Sequence, residues 1–364
     1  CISSAASDVY KRQVKVKVTK RSGREGKRRE GMVLKILERG CKTLVGTFQK
    51  NTSFGFVLPD DRHYDKDIFI SKKHMSGAKD GDKVVVRLTD FGGERKKPEG
   101  AVIEILGPMD DPATDVTSII RAYGIEQEFP KSVMKEAQSV LQEISEQPGG
   151  KRVDFRNLLT VTIDGEDARD LDDAITLSKK DEKYYLGVHI ADVAHYVKED
   201  SPLDKEALER ATSVYLADRV IPMLPRDLSN GICSLNAGTD RLAMSCMMTF
   251  DVNGNVLDHT ITESVICVDE RMSYTGVKAI LEGQEHPEGE REDIRALCFL
   301  MKEAAAILKE KRRKRGAIDF DFPESKIIVD DKGYPIDIHP YERNVATDII
   351  CLLYTSPSPR DAHE

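Results

Sequence analysis

The chain has 364 residues, 32% of them charged and 40% hydrophobic, with a formal net charge of −8. That length suits two or three domains, and no apolar run approaches the ~18 residues of a membrane-spanning helix, so no membrane partner is expected. Seven cysteines, an odd number without a CxxC pair, argue for reduced thiols in the cytoplasm and against a disulfide-stapled scaffold or a zinc site.

The two ends are set apart first. The chain begins with Cys1, and SSAASDVYKRQ (3–13) and CLLYTSPSPRD (351–361) both resemble translated sequencing-adaptor ends. One permitted codon set for CLLYTS is TGT CTC TTA TAC ACA TCT, whose reverse complement, shifted one base, encodes DVYKR. Inverted copies of one element at both ends suit an adaptor-flanked fragment. Residues 1–13 and 351–364 are therefore expected to be non-native, and 14–350 are kept for fold reasoning.

Residues 14–40 alternate (VKVKV), pass a basic turn and repeat an apolar pattern (MVLKIL), as the last strands of a β-barrel whose start is missing would. From Lys11 to Arg39 there are twelve Lys or Arg against three Glu, a local basic stretch in an acidic chain. Residues 41–108 hold four short strand patterns, TLVGTFQ, SFGFVLP, DIFIS and KVVVRLT. Asn51, Asp60-Asp61, Gly77 and Asp80-Gly81 separate them, and this spacing predicts a small all-β barrel. Phe54 and Phe56 point to one face by strand alternation, and Phe69 can join them from a neighbouring strand. Nucleic-acid bases stack on such rings at about 1–3 kcal/mol each. Lys50, Lys66, Lys72 and Lys73 can meet phosphates. The competing reading is that one or two of these rings fill the barrel core.

Residues 109–152 read as a helical connector, with Asp115 capping a first helix, Pro130 opening a second and Pro-Gly-Gly at 148–150 marking a boundary. Residues 153–350 mix both periodicities. Strand patterns recur at YYLGVHI, MSCMMTFDV and KIIVD, and helical ones fall at 203–211 and 291–314. This predicts an α+β module with a mostly antiparallel sheet wrapped by helices. The longest helix ends in KEKRRKRG (309–316), which serves either as capping charge or as an RNA contact.

Chemistry concentrates in TVTIDGEDARDLDDAITL, where Asp164, Asp170, Asp172 and Asp173 sit between two β-branched runs. Carboxylates gathered at strand ends repel one another unless they protonate or meet a cation, and hard oxygen donors suit Mg²⁺ or Mn²⁺. A solvated acidic loop and a structural Ca²⁺ loop are the alternatives. An EF-hand is excluded, because its glycine and terminal glutamate are missing. Glu166 and Asp167 read as solvent-facing turn residues. Val188, Ile190 and Val193 make VHIADVAHYV a core strand, so His189, Asp192 and His195 are not assigned as ligands.

The stretch TIDGEDARDLDDA is followed by GVHIADVAHYV (187–197), TSVYLADRVIPMLP (212–225), LSNGICSLN (228–236) and RGAIDF (315–320). This ordered set resembles the RNB catalytic module of the ribonuclease II/ribonuclease R family. SFGFV (53–57) and DIFI (67–70) resemble the two aromatic RNA-binding motifs of cold-shock domains, a form of OB-fold barrel. The resemblance covers most of residues 14–350 and makes 14–40 the end of a first cold-shock barrel, 41–108 a second, and 153–350 the amino-terminal part of the RNB module. It implies hydrolytic 3′→5′ degradation of RNA from single-stranded ends to 5′-nucleoside monophosphates, with Mg²⁺ (or Mn²⁺) and a monomeric protein.

The resemblance matches Asp164, Asp170, Asp172 and Asp173 to the family's four acidic positions. It implies Asp164 and Asp173 as direct metal ligands, with Asp170 and Asp172 completing the shell and Asp172 orienting the attacking water. Tyr215 matches a tyrosine that stacks on bases near the RNA 3′ end, and Phe320 aligns with the other side of that clamp. The family module continues beyond the position of Ile350, where it supplies an arginine near the reacting phosphate and is followed by an S1-type barrel. The fragment is therefore expected to be inactive alone. A non-catalytic RNA-binding protein that kept the fold is the alternative function.

Overall fold

The computed structural model describes residues 12–20, 30–39, 42–62, 64, 66–93, 96–143, 152–289, 291–318, 325–340 and 344–355. Most of the two terminal segments set apart above lies outside the described residues, as does the Pro-Gly-Gly boundary. Residues 351–355 complete the last described helix. The chain divides into two compact units, Cys1–Gln127 with Ile328–Ile336, and Glu128–Ile327 with Asp337–Glu364.

In the first unit, β1 (Arg12–Lys20) and β2 (Glu30–Arg39) form an antiparallel ribbon. The strands β3 (Thr43–Lys50), β4 (Phe54–Pro59), β5 (Ile68–Ser71), β6 (Asp82–Asp90) and β7 (Glu99–Pro108) close into a barrel in the order β3-β4-β5-β7-β6. Strand alternation sends Phe48, Val57, Ile68, Ile70, Val84 and Val86 inward, all of them fully buried. Phe48 fixes one glycine: a Cβ on Gly55 would lie 2.5 Å from the Phe48 ring, so only glycine fits between Phe54 and Phe56.

Helix α1 (Pro112–Tyr123) follows the barrel. Its cap is Asp111, whose side chain accepts from the Ala113 N–H, rather than the expected Asp115, which lies in the first turn. Pro112 explains the difference, since its fixed φ and missing N–H suit the first helical position and place the cap just before it.

The second unit begins with α2 (Lys131–Glu143), which directly follows Pro130. It then lays down β8 (Val153–Asp154), β9 (Thr160–Asp164), β10 (Asp173–Lys180) and β11 (Lys183–Ala191). Two short helices, α3 (Val193–Tyr196) and α4 (Pro202–Arg210), lead to a small hairpin of β12 (Val214–Tyr215) and β13 (Val220–Ile221). Long strands β14 (Asp240–Asp251) and β15 (Val256–Cys267) and short β16 (Glu270–Ser273) complete the sheet. Its order is β16-β9-β10-β11-β14-β15-β8, antiparallel except where β16 joins β9 and β8 joins β15. The helices α5 (Tyr274–Leu281), α6 (Glu292–Lys314) and α7 (Val345–Thr355) follow; between α6 and α7 the chain forms the hairpin β17 (Ser325–Val329) and β18 (Pro335–Pro340), whose residues Ile328–Ile336 are counted with the first unit. The α+β expectation holds. The strand expected to run through Val193 ends at Ala191, because the Asp192 side chain accepts from the His195 N–H and caps α3.

The sheet has two unlike faces. One carries Val161, Ile163, Ile175, Leu177, Leu186, Val188 and Met248, packed with α5, α6 and α7 in one apolar core. The other carries a buried polar row. Thr160 bonds Thr176 (2.8 Å), Thr176 bonds Nε2 of His189 (3.0 Å), Nδ1 of His189 bonds Ser245 (2.6 Å), and Ser245 bonds Ser264 (2.6 Å). Its ends meet the Leu158 and Ala243 carbonyls. The row crosses five strands, one residue from each.

Burial pushes His189 down from 6.5 to about 4. A lowered histidine opposes protonation in the fold, so its share of stability is intact above pH 6.5. It falls by about 1.4 kcal/mol per pH unit as the pH drops from 6.5 towards 4. NMR titration of the His189 imidazole should show it neutral at pH 5, and His189→Gln should flatten the stability–pH slope in this window. An ordinary midpoint near 6.5 would mean that hydrogen bonds donated by both ring nitrogens offset the cost of burial.

Candidate functional site

Strand β9 is apolar or β-branched up to its last residue, Asp164, and β10 opens on Asp173 just before its buried run Ala174–Leu177. Burial of Val161, Ile163, Ala174 and Ile175 anchors those strand ends, and the turn 165–172 between them carries Asp170 and Asp172. The segment Val161–Leu177 therefore gathers all four aspartates at one end of two neighbouring strands. Glu166 and Asp167 are exposed, as expected of turn residues.

Two distant side chains hold the turn. Ser234 is fully buried; its hydroxyl accepts from the Leu171 N–H (3.0 Å) and donates to the Arg169 carbonyl (2.9 Å), bracketing Asp170. Arg271, on β16, directs Nη2 at the carbonyls of Ala168 (2.6 Å), Glu166 (3.0 Å) and Gly165 (3.5 Å). Neither residue is legible as part of the site in the sequence. They lie 63 to 106 positions from their partners, and only the parallel pairing of β16 with β9 brings Arg271 close.

The electrostatics of the cluster are those of crowded acids. Asp164 is pushed up to about 7 by burial and by the charges of Asp173, Asp172 and Asp170, against the opposing pull of Arg271. Asp173 is pushed up to about 6 by burial and then by Asp172. Burial, with Asp170 beside it, raises Asp172 as well. On the same face of β9, Oδ2 of Asp164 and Oγ1 of Thr162 are buried without a hydrogen-bond partner. Among the described residues no three His, Cys, Asp or Glu side chains close into a finished ligand cage. An orphaned carboxylate oxygen beside mutually repelling carboxylates nevertheless fits a hard divalent cation, which would satisfy the oxygen and neutralise the charge.

Tyr215 stands at this site on the small hairpin, 66% exposed, with its hydroxyl donating to Oδ2 of Asp170 at 3.1 Å. An exposed ring fixed at its polar tip leaves its π-face open. Phe320 lies outside the described residues. His189 belongs to the polar row, His195 is exposed, and buried Asp192 pairs with Arg152 at 2.6 Å. None of the three joins the aspartates.

In the first unit, Phe54, Phe56 and Phe69 form a half-buried aromatic cluster outside the barrel core, with centroid separations of 5.4, 5.8 and 5.9 Å. Cross-strand pairing of Phe56 with Phe69 sets it. Lys97, which sequence reasoning missed, places Nζ 4.5 Å from the Phe56 centroid. Lys50, Lys66, Lys72 and Lys73 are all exposed.

Comparison with known proteins gives the RNB domain over residues 152–354 and a cold shock domain over 56–130. Ribonuclease R of Thermotoga maritima is 44% identical over 324 residues, covering 88% of this chain and 46% of that protein. Mycoplasma genitalium RNase R, solved with ribose-methylated single-stranded RNA, superposes with a TM-score of 0.79 at 25% identity, over 93% of this chain and 53% of that one. Yeast Ssd1, described as a pseudonuclease, shares the fold with a TM-score of 0.64 at 16% identity, over 90% of this chain and 42% of its own. The chain thus spans about half the length of the relatives it matches.

The raised aspartates make a signed prediction. A carboxyl held near 7 in the fold and near 3.8 when unfolded ionises at the expense of the fold, so the metal-free chain loses stability as pH rises from about 4 to about 7. Asp164→Asn should therefore raise Tm at pH 8 in chelator, change it little at pH 4, and reduce the Tm gain that Mg²⁺ gives at pH 8. A lower Tm for the variant at pH 8 would show that the carboxylate is not under repulsive strain.

Proposed function

The chain belongs to the RNB-domain family, and from that premise we propose that its full-length protein is a hydrolytic 3′→5′ exoribonuclease whose site is the aspartate cluster. The observation that carries this reading is the buried, unpartnered Oδ2 of Asp164 within a set of carboxylates that raise one another. Asp164 and Asp173 would hold a divalent cation directly, Mg²⁺ or Mn²⁺, with Asp170 and Asp172 completing its surroundings. Such a cation, when bound, supplies charge stabilisation to the phosphoryl oxygens and helps make water a better nucleophile.

The chain's own groups do the rest. Asp172, at the exposed rim, orients a water in line with the terminal phosphodiester and takes up its proton. The water oxygen bonds to phosphorus as the bond to the 3′ oxygen of the shortened RNA breaks, which releases a 5′-nucleoside monophosphate. Tyr215 offers its ring to a base near the RNA 3′ end, with Phe320 proposed opposite it. Stacking is blind to sequence because every base has a π-face. Phe54, Phe56 and Phe69, with Lys50 and Lys72, provide an RNA surface on the barrel, where stacking and phosphate contacts add affinity.

The partner is RNA, foremost single-stranded 3′ ends, and the protein is proposed to act as a cytoplasmic monomer. Among the described residues no helix is long and apolar enough to cross a membrane. A non-catalytic RNA-binding role is the second reading, since the fold alone does not fix activity. The presence of all four aspartates favours catalysis.

In the full-length protein, Asp172→Asn should abolish single-turnover cleavage while leaving RNA affinity nearly unchanged, since affinity is spread over phosphate and stacking contacts. Linear RNA should yield 5′-monophosphates and a circular RNA should survive; rapid cutting of the circle would mean an endonuclease. The 364-residue chain assayed alongside should release little, because it spans only about half of its relatives. Comparable rates from the two would refute that expectation.

On the barrel, changing Phe54 and Phe56 together to Ala in the 364-residue chain should weaken single-stranded RNA binding. Each lost stack removes roughly 1–3 kcal/mol, and binding should also fall steeply with salt. Unchanged affinity in a folded variant would return both rings to a purely structural role.

A further inference from the structure

We infer that Arg271 is a positioning residue for the acidic turn, holding the backbone of residues 165–168 so that the aspartates around it present their oxygens to a divalent cation. This inference rests on reading the aspartate cluster as a cation site.

The turn has little to hold it from within. Its own backbone contributes the Ala168 N–H to the Gly165 carbonyl at 3.1 Å. Against that stand six acids within ten residues, Asp164, Glu166, Asp167, Asp170, Asp172 and Asp173, whose mutual repulsion favours an open, spread loop. Ser234 secures the far side of the turn, at Arg169 and Leu171. The near side, directly after Asp164, is secured by Arg271.

The geometry suits a clamp. Nη2 donates to the Ala168 and Glu166 carbonyls at 2.6 and 3.0 Å, with the Gly165 carbonyl at 3.5 Å. A charged donor on converging carbonyls gives stronger and more directional bonds than a neutral one. The backbone that carries the clamp is itself fixed. Arg271 pairs in register with Thr162, Ser273 pairs with Asp164, and Asp269 bonds the Thr160 N–H at 2.9 Å. The arginine is thus anchored to the strand that bears Asp164 while it grips the turn that follows. Its guanidinium bonds carbonyls rather than carboxylates, so it occupies none of the acid oxygens.

A second reading of the same contacts is a surface arginine that merely supplies positive charge near an acidic patch. The two readings differ in sign. A nearby positive charge repels a cation, so a bystander arginine would weaken cation binding, and its removal would tighten it. A clamp acts the other way. Its loss lets the turn spread and weakens binding, by on the order of 10-fold for a group that orients metal ligands. All three contacts come from the one nitrogen Nη2, and a lysine keeps the charge but ends one bond short of that position, so Arg271→Lys should bind a cation no better than Arg271→Gln.

The experiment uses the 364-residue chain freed of metal, with Mn²⁺ binding read by electron paramagnetic resonance and Ala168 amide exchange read by NMR. Both Arg271→Gln and Arg271→Lys should weaken Mn²⁺ binding about 10-fold and speed exchange at Ala168, while the strands keep their protection. Mn²⁺ binding that is unchanged or tighter in Arg271→Gln overturns the inference, as does unchanged exchange at Ala168. If the unsubstituted chain fails to bind Mn²⁺, the cation reading itself is overturned, and the purpose assigned to the clamp goes with it.

Discussion

The second unit is organised around one electrostatic constraint: carboxylates must be kept close together at the ends of strands that want to be dry. Asp164 and Asp173 terminate segments whose neighbours Val161, Ile163, Ala174 and Ile175 are buried almost completely. Hydrophobic burial, worth about 1.5–3 kcal/mol for each large aliphatic side chain, is what keeps the like charges in place. The opposing force is visible in the carboxyls that burial and their neighbours push upward. A fold at ease would spread these acids into solvent. This one holds them on strand ends and ties the intervening turn with Ser234 and Arg271. Such stored repulsion is the kind of strain a cation site needs before its ion arrives.

The sheet that bears this load has its register specified from both faces. The helix-covered face is an uninterrupted apolar core, and the opposite face is threaded by Thr160, Thr176, His189, Ser245 and Ser264. Sliding β10 by one residue would turn its polar member into the apolar core and its apolar residues towards the row. The same slip would move Asp173 to the wrong face. The polar row therefore links the packing of the sheet to the placement of the carboxylates, although His189 takes no part in their chemistry. Burial is what lowers its proton affinity.

What could be read in the sequence was what is local. Alternation gave the barrel strands and put Phe54 and Phe56 on one face, and the β-branched runs around the acidic stretch announced two strands and a turn. Helices with strong formers were legible within one residue at each end, as α4 and α6 are. Helix α5 was not, because YTGVKAIL holds β-branched and glycine residues that favour other conformations. It is held instead by its Ser273 cap and by Glu288, which accepts from the Ser273 N–H and hydroxyl. The cap falls at Asp111 rather than at the expected Asp115 because the proline between them belongs at the first helical position. Arg271 and Ser234 escaped notice for a deeper reason. Their partners are backbone atoms far along the chain, and no local pattern reports a side chain that bonds a distant carbonyl.

The likeness to a protein described as a pseudonuclease sets the limit on what the fold can say. If a sheet of this shape exists both with and without nuclease activity, then strand order and barrel closure carry no chemistry by themselves. The chemistry must lie in what a single substitution could remove. In the proposed site that is a carboxylate oxygen of Asp164 buried without a partner, the three aspartates that act on it, and a tyrosine whose hydroxyl is tied to Asp170 while its ring stays exposed. An unpaired buried acid costs the fold, because protonating it or replacing it with asparagine would relieve the strain at once. That unfavourable group, beside a turn held by side chains from distant positions, is what a bound cation would relieve.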